Sequence, residues 1–176
     1  MIIVGLGNPG TKYKHTRHNF GFLAVEHFWK KNKKLFSDWK TKGDCLLSTG
    51  DLGGQSMTLV LPQNFMNNSG PSLLSAIKKD KLDELVVIHD ELDVPFGKMK
   101  LQTDRSAAGH NGVQSIIDAF GTKNFWRLRV GIGHTPKAVD TEKFVLEKFT
   151  TEEQEQLPQI LEKVANEIEK FITRPK

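Results

Sequence analysis

Cysteine is the scarcest informative residue in this chain: Cys45 is the only one among 176 residues. That count excludes an internal disulfide and a thiolate metal cluster, because both need more sulfur than one side chain supplies. It also fits a reducing compartment. Long hydrophobic runs are missing too, and no stretch approaches the ~20 apolar residues that a membrane helix needs. The strand-like Ile2-Ile3-Val4 follows Met1 with no basic segment ahead of it. Neither a signal peptide nor a membrane anchor is therefore expected, and a cytoplasmic location is. Repeats, low-complexity tracts and a linker that would divide the chain are likewise absent, so residues 1–176 are expected to form one domain.

What is present suits a buried core: 38% hydrophobic and 26% charged residues, an ordinary balance for a globular protein. The formal charge is +4 and the pI about 9.1. The excess is uneven. Residues 1–50 carry nine Lys or Arg against Glu26, Asp38 and Asp44, whereas the stretch from Thr151 onward is net acidic. A basic face invites a polyanion such as nucleic acid, but lysine runs such as Lys30 to Lys34 equally decorate solvated helix ends, so charge alone decides nothing.

The pattern of apolar residues alternates between strand and helix. Ile2 to Leu6 reads as a strand closed by Gly7-Asn8-Pro9-Gly10, and Asn19 to Asn32 has a helical face at Phe22, Val25, Phe28 and Trp29. Asp44 to Ser48 and Gln55 to Leu61 read as a hairpin turning over 50–54, followed by a polar loop to Gly70 and a helix to about Lys79. Leu85-Val86-Val87-Ile88 is a continuous apolar run, the mark of a strand buried on both faces. Lys98 to Gln102 and Trp126 to Ile132 alternate as strands, the second carrying Arg127 and Arg129 on one face, and Asn111 to Phe120 carries a helical stripe. Near the C-terminus, Leu157, Ile160, Leu161, Val164, Ile168 and Phe171 share helical spacing; Thr150 and Glu153 have capping-box spacing, and Pro158 is expected to restart or kink the helix. The sum predicts an α/β three-layer sandwich, a mixed central sheet flanked by helices.

Sites in open α/β sheets collect beyond the carboxyl ends of strands. Four polar loops qualify here: Gly7 to Gly10, His89-Asp90-Glu91-Leu92-Asp93 after the buried run, Phe65 to Gly70, and Gly109-His110-Asn111-Gly112. Three chemistries compete for them. Gly5-Leu6-Gly7-Asn8-Pro9-Gly10 matches a dinucleotide-binding spacing, but Pro9 delays any helix and the only carboxylate near the required offset, Glu26, falls inside one. His15, His18 and the His89 to Asp93 group hold enough imidazole and carboxylate for a metal, although HxxH is not the spacing of a zincin helix. Ser69 lacks the glycine two residues ahead that a nucleophile elbow requires, since Asn67 stands there. There remains a site with imidazole, carboxylate and amides but no evident nucleophile. Such a set suits attack by water, with His18 taking the proton and Asp90 supporting the imidazolium.

Gly5-Leu6-Gly7-Asn8-Pro9-Gly10, Tyr13 and Thr16-Arg17-His18-Asn19-Phe20-Gly21 together resemble the opening signature of bacterial peptidyl-tRNA hydrolases. The Phe65 to Gly70, His89 to Asp93, Gly109 to Gly112 and Arg127 to His134 blocks resemble the rest of it, in order, and the likeness runs from Met1 to about Phe149. The resemblance implies a normally monomeric α/β enzyme without metal or organic cofactor. Its substrate would be the ester between a peptide and the 3′-terminal ribose of tRNA. By position, His18 matches the family's base, Asp90 its supporting carboxylate, and Asn8 the residue tied to water placement. Tyr13, Phe65, Asn67 and Asn111 match positions holding the peptide and the 3′ CCA end, and Lys100 with Arg129 the clamp for the 5′ phosphate beside the acceptor stem. Gln102 stands where relatives often carry Lys or Arg, and the loop 104–108 is poorer in glycine than in many of them; both imply weaker RNA affinity rather than altered chemistry.

Overall fold

An uninterrupted apolar strand needs cover on both faces, and the fold supplies it. In the computed structural model, which describes residues 1–136 and 138–172, β5 (Leu85–Glu91) is buried at all seven positions. It lies within a seven-stranded mixed sheet of order β2 (Lys40–Lys42), β3 (Cys45–Leu52), β4 (Gln55–Pro62), β1 (Ile2–Gly5), β5, β7 (Trp126–Gly131) and β6 (Met99–Gln102). The four inner strands β4, β1, β5 and β7 run parallel, whereas the pairs at either edge are antiparallel. This is the three-layer architecture that the alternating pattern predicts.

The pleat sorts side chains into two cores. Ile3, Val86, Ile88, Leu128 and Val130 pack against Phe20, Val25 and Phe28 of α1 (Phe20–Lys31) and Ile160, Val164 and Ile168 of α5 (Thr151–Ile172). The alternate positions, Val4, Val60, Leu85 and Val87, pack against Leu73 of α2 (Ser69–Ala76) and Val113, Ile116 and Phe120 of α3 (Asn111–Phe120). Burying each such Val, Leu, Ile or Phe side chain contributes roughly 1.5–3 kcal/mol.

The glycine spacing at the start of the chain answers to packing. A Cβ on Gly5 would lie 2.3 Å from the Gly21 carbonyl oxygen, and one on Gly21 would lie 2.3 Å from that of Ile88. The first turn of α1 therefore presses directly on the backbones of β1 and β5. This contact accounts for both residues without a nucleotide.

Some boundaries differ from expectation, each for a local reason. The hairpin turn is confined to Gly53-Gly54, at φ 64° and 83°, so Gly50 to Leu52 pair as strand; two residues at positive φ match the twist of the strands they join. α2 ends at Ala76 rather than near Lys79, because Ile77 leaves the helix in extended conformation to bury its side chain. Pro158 neither ends nor restarts α5. It is exposed, so water can reach the Gln154 carbonyl that it leaves without an amide donor. The Thr150–Glu153 capping box forms, with the Thr150 N–H donating to Glu153 at 2.7 Å and the Glu153 N–H to Thr150 Oγ1 at 3.2 Å. Two short elements escape the pattern altogether: β2, and α4 (Thr141–Leu146) with its Asp140 cap.

Candidate active site

The parallel strands β1 and β5 end side by side, and the polar loops meet there. β5 itself runs through His89, Asp90 and Glu91, which pair with Arg129, Val130 and Gly131 of β7. These three are thus strand residues rather than the loop the sequence suggests, which gives Asp90 a fixed backbone. His18 comes from a 3₁₀ turn (Arg17–Asn19) just before α1, and its Nδ1 lies 3.0 and 3.1 Å from the two carboxylate oxygens of Asp90.

A second imidazole approaches the same carboxylate. His110 caps α3 by accepting the Val113 N–H on Nδ1 at 3.3 Å, which assigns its proton to Nε2; that nitrogen donates to Asp90 Oδ1 at 3.1 Å. His89 donates from Nδ1 to the Asp90 carbonyl at 2.7 Å and stands edge-on to His110. His110 thus orients its loop as well as capping α3, and His89 braces Asp90.

Asp90 is 2% exposed. Burial alone would raise its pKa, but the electrostatic pull and hydrogen bonds of the His18 and His110 rings outweigh it and hold the carboxyl well below the usual range. For His18 burial disfavours the imidazolium, and the charge and hydrogen bond of Asp90 carry the pKa above the ordinary 6.5. Burial, then the neighbouring His110, press the His89 pKa far down, so that ring is neutral. With Nδ1 of His18 given to Asp90, Nε2 is the basic atom left for a substrate or water.

Asn8 is held as tightly. Its backbone N–H and C=O pair with the Asn19 amide, at 2.9 Å each, and its Oδ1 accepts the Met66 N–H at 2.7 Å. The Asn8 amino group is the end left to donate into the cavity. That cavity, about 640 Å³, is lined by Asn8, His18, Asp90 and His110 below and by Tyr13, Phe65, Asn67 and Asn111 around the rim. The rings of Tyr13 and Phe65 meet edge-to-face, 6.1 Å apart, and Phe65 is 56% exposed. The opposite wall is α4, through Thr141, Glu142, Val145 and Leu146. Sequence reading missed this wall, since six residues are too few to show a helical period; the Asp140-x-x-Lys143 cap was the available signal.

Lys100 and Arg129 are cross-strand partners on β6 and β7. Lys100 is exposed, whereas Arg129 is 8% exposed and donates from Nε to Glu91 at 2.7 Å and from Nη1 to Gln102. The neutral Gln102 thus serves the guanidinium as an acceptor. In the nearby loop, Asp104 and Ala108 adopt positive φ of 52° and 48° without being glycine, at a cost of roughly 1–2 kcal/mol each. Arg127 holds the loop by donating to the Ser106 and Arg105 carbonyls.

The competing chemistries fare differently. Ser69 is fully buried and donates to the Met66 carbonyl, out of reach of the cavity. His15 is exposed and does not line the cavity, so the rival His15/His18 ligand pair does not assemble. His18, Asp90 and His110 do have ligand atoms within 4.8 Å of one another. A cation there would displace both imidazole N–H donors from Asp90, and His110 could not switch its proton to Nδ1 without losing the Val113 cap.

Fold and site together define an α/β enzyme of the hydrolase class, with a carboxylate-backed imidazole and no serine or cysteine among the described cavity-lining residues. The family model for peptidyl-tRNA hydrolase matches residues 2–175, further than the resemblance read from the motifs, and the chain belongs to that family. It is 42% identical over 175 residues to the peptidyl-tRNA hydrolase of Chloroflexus aggregans, covering 98% of this chain and 92% of that protein. With that of Mycolicibacterium smegmatis it shares 40% over 176 residues, covering 99% and 92%. The crystal structure of the Acinetobacter baumannii peptidyl-tRNA hydrolase superposes with a TM-score of 0.81 at 35% identity, over 93% of this chain and 85% of that one. Among the described residues no helix is long and apolar enough to cross a membrane.

Proposed function

We propose that this member of the peptidyl-tRNA hydrolase family cleaves the ester between a peptide's carboxyl end and the 3′-terminal ribose of tRNA without a metal, using His18 as general base. The carrying observation is the 3.0 Å contact between His18 Nδ1 and the buried Asp90. It leaves Nε2 facing the cavity, where it takes a proton from water as the water oxygen bonds to the ester carbonyl carbon. The carbonyl oxygen gains the negative charge, and the Asn8 amino group donates a hydrogen bond to it without competing for the proton. Collapse of the tetrahedral species breaks the bond to the ribose oxygen, and the His18 imidazolium returns the proton to that oxygen. Asp90 stays ionised throughout and stabilises the imidazolium.

Asn67 and Asn111 on the rim bind peptide amides, since each side chain both donates and accepts. Tyr13 and Phe65 offer faces to the bases of the CCA end. Lys100, with the remaining nitrogen of Arg129, takes the 5′ phosphate of the acceptor stem. The whole chain acts as one cytoplasmic, monomeric domain. The test is release of tRNA from N-blocked and from free aminoacyl-tRNA, before and after exhaustive EDTA treatment. Selective, chelator-resistant cleavage of the blocked ester is expected. Activity lost to EDTA and restored by zinc would replace this reading with a metal centre on His18, Asp90 and His110.

A further inference from the structure

The His18 turn is tied to the far wall of the cavity by its preceding residue. Arg17 is 4% exposed although charged. Its backbone N–H donates to the Glu147 carbonyl at 3.0 Å, and its Nη1 donates to the carbonyls of Lys148 at 3.0 Å and Phe144 at 3.5 Å. Its Nη2 donates to Glu153 at 2.7 Å, and the guanidinium lies over the Phe144 ring, 4.2 Å from its centre. Thr16 and Lys148 add an antiparallel bridge.

All of these carbonyls belong to the end of α4 or the residues just after it. A helix of six residues cannot hold itself together, because nucleation is costly and its last carbonyls lack intrahelical donors. Arg17 adds a donor to the Phe144 carbonyl, which already accepts the Glu147 N–H, holds the two carbonyls just past the helix, and places a cation at the helix's negative end. The Glu153 carboxylate it pairs with also closes the capping box of α5. One side chain therefore joins the α4 wall, the start of α5 and the turn that presents His18.

We propose that Arg17 is a positioning residue that couples the α4 wall of the substrate cavity to the placement of His18, so that neither is correctly set without the other. This rests on His18 being the base. Asp90 from β5 and His110 ahead of α3 face the His18 ring directly, and Glu142 of α4 lines the same cavity. A shift of the turn thus changes the distance from His18 to the one carboxylate that touches it.

Arg17→Met, which keeps the length and removes the donors, should lower kcat/KM ~10- to 100-fold, as a small misplacement of a reacting group does. It should also move the acid limb of the pH profile downward, because an imidazole further from Asp90 protonates less readily, and speed amide hydrogen exchange across residues 141–147. Arg17→Lys should restore part of each. A folded Arg17→Met protein with unchanged rate, limb and exchange would overturn the coupling. If that variant does not fold, Glu153→Gln decides. It removes the paired charge and leaves the backbone bonds of Arg17, so about a threefold loss is expected, with faster exchange over 141–147. Wild-type values for both would overturn the proposal. His18→Ala, run in parallel, should lower turnover at least ~100-fold and leave the 141–147 exchange as in the wild type. Unchanged turnover in His18→Ala would remove the base role, while the exchange result still judges the Arg17 staple.

Discussion

On the floor of the cavity His18 is 8% exposed and Asp90 2%, each held by hydrogen bonds of 3.0–3.1 Å, whereas Phe65 on the rim is 56% exposed and Asn67 and Asn111 also face solvent. The floor is built from strand ends and helix caps, and its hydrogen bonds leave His18 and Asn8 one functional atom each, Nε2 and Nδ2. The rim is built from loops and the first residue of a helix. Under the proposed function the contrast follows from two tasks. Moving a proton needs fixed geometry and a tuned pKa, which burial and paired charges supply. Gripping a peptide of any sequence and a flexible RNA end needs exposed amides and ring faces that adjust.

That difference can be broken or sharpened by substitution. His18→Ala should show the largest effect, a loss of at least ~100-fold in kcat with tRNA binding retained, as when a general base is removed; single-turnover rates and filter binding measure the two separately, and unchanged turnover would reject the role. Asp90→Asn should come next, with a loss of roughly 10- to 100-fold and a shifted pH profile. The sign follows from the raised His18 pKa. The base acts as the free imidazole, so kcat/KM falls as pH drops through a value above 6.5; without the carboxylate the limb moves to lower pH. A limb that stays in place would mean that Asp90 does not tune His18.

Phe65→Ala belongs to the rim and should behave differently: KM rises ~10-fold, the worth of one stacked base, and kcat stays near wild type. A fall in kcat instead would erase the distinction between floor and rim. The smallest effect is expected at the sheet edge. Lys100→Ala should flatten the log–log salt dependence of tRNA binding by about one. Arg129→Ala should weaken binding too, but its guanidinium is engaged with Glu91 and Gln102. Its removal leaves the buried Glu91 with the Asp93 N–H but without its cation, so a drop in melting temperature worth about 3–5 kcal/mol should accompany it. Equal salt slopes with unchanged stability would mean that Arg129 serves phosphate alone.

Much of this was legible in the chain. β5 and α3 lie where continuous and periodic apolar residues predict them, because burial on two faces or on one leaves a distinct record in the sequence. His18, Asp90 and Asn8 stood out as polar residues following strands or preceding helices. The second imidazole on Asp90 was not legible, since His110 is twenty positions away and only the cap on Val113 turns its Nε2 toward the carboxylate. The role of Arg17 was equally hidden, because its partners lie more than 120 residues further on.

The sequence by itself determined the layer order, the loops that carry polar groups and the family to which the chain belongs, because periodicity and motif spacing are local properties. Tertiary structure alone decided which nitrogens of His18, His89 and His110 meet a partner, which cation is occupied and which is exposed, and that a six-residue helix walls the cavity. Those outcomes depend on donors and acceptors brought together from distant parts of the chain, and on the loss of water around them.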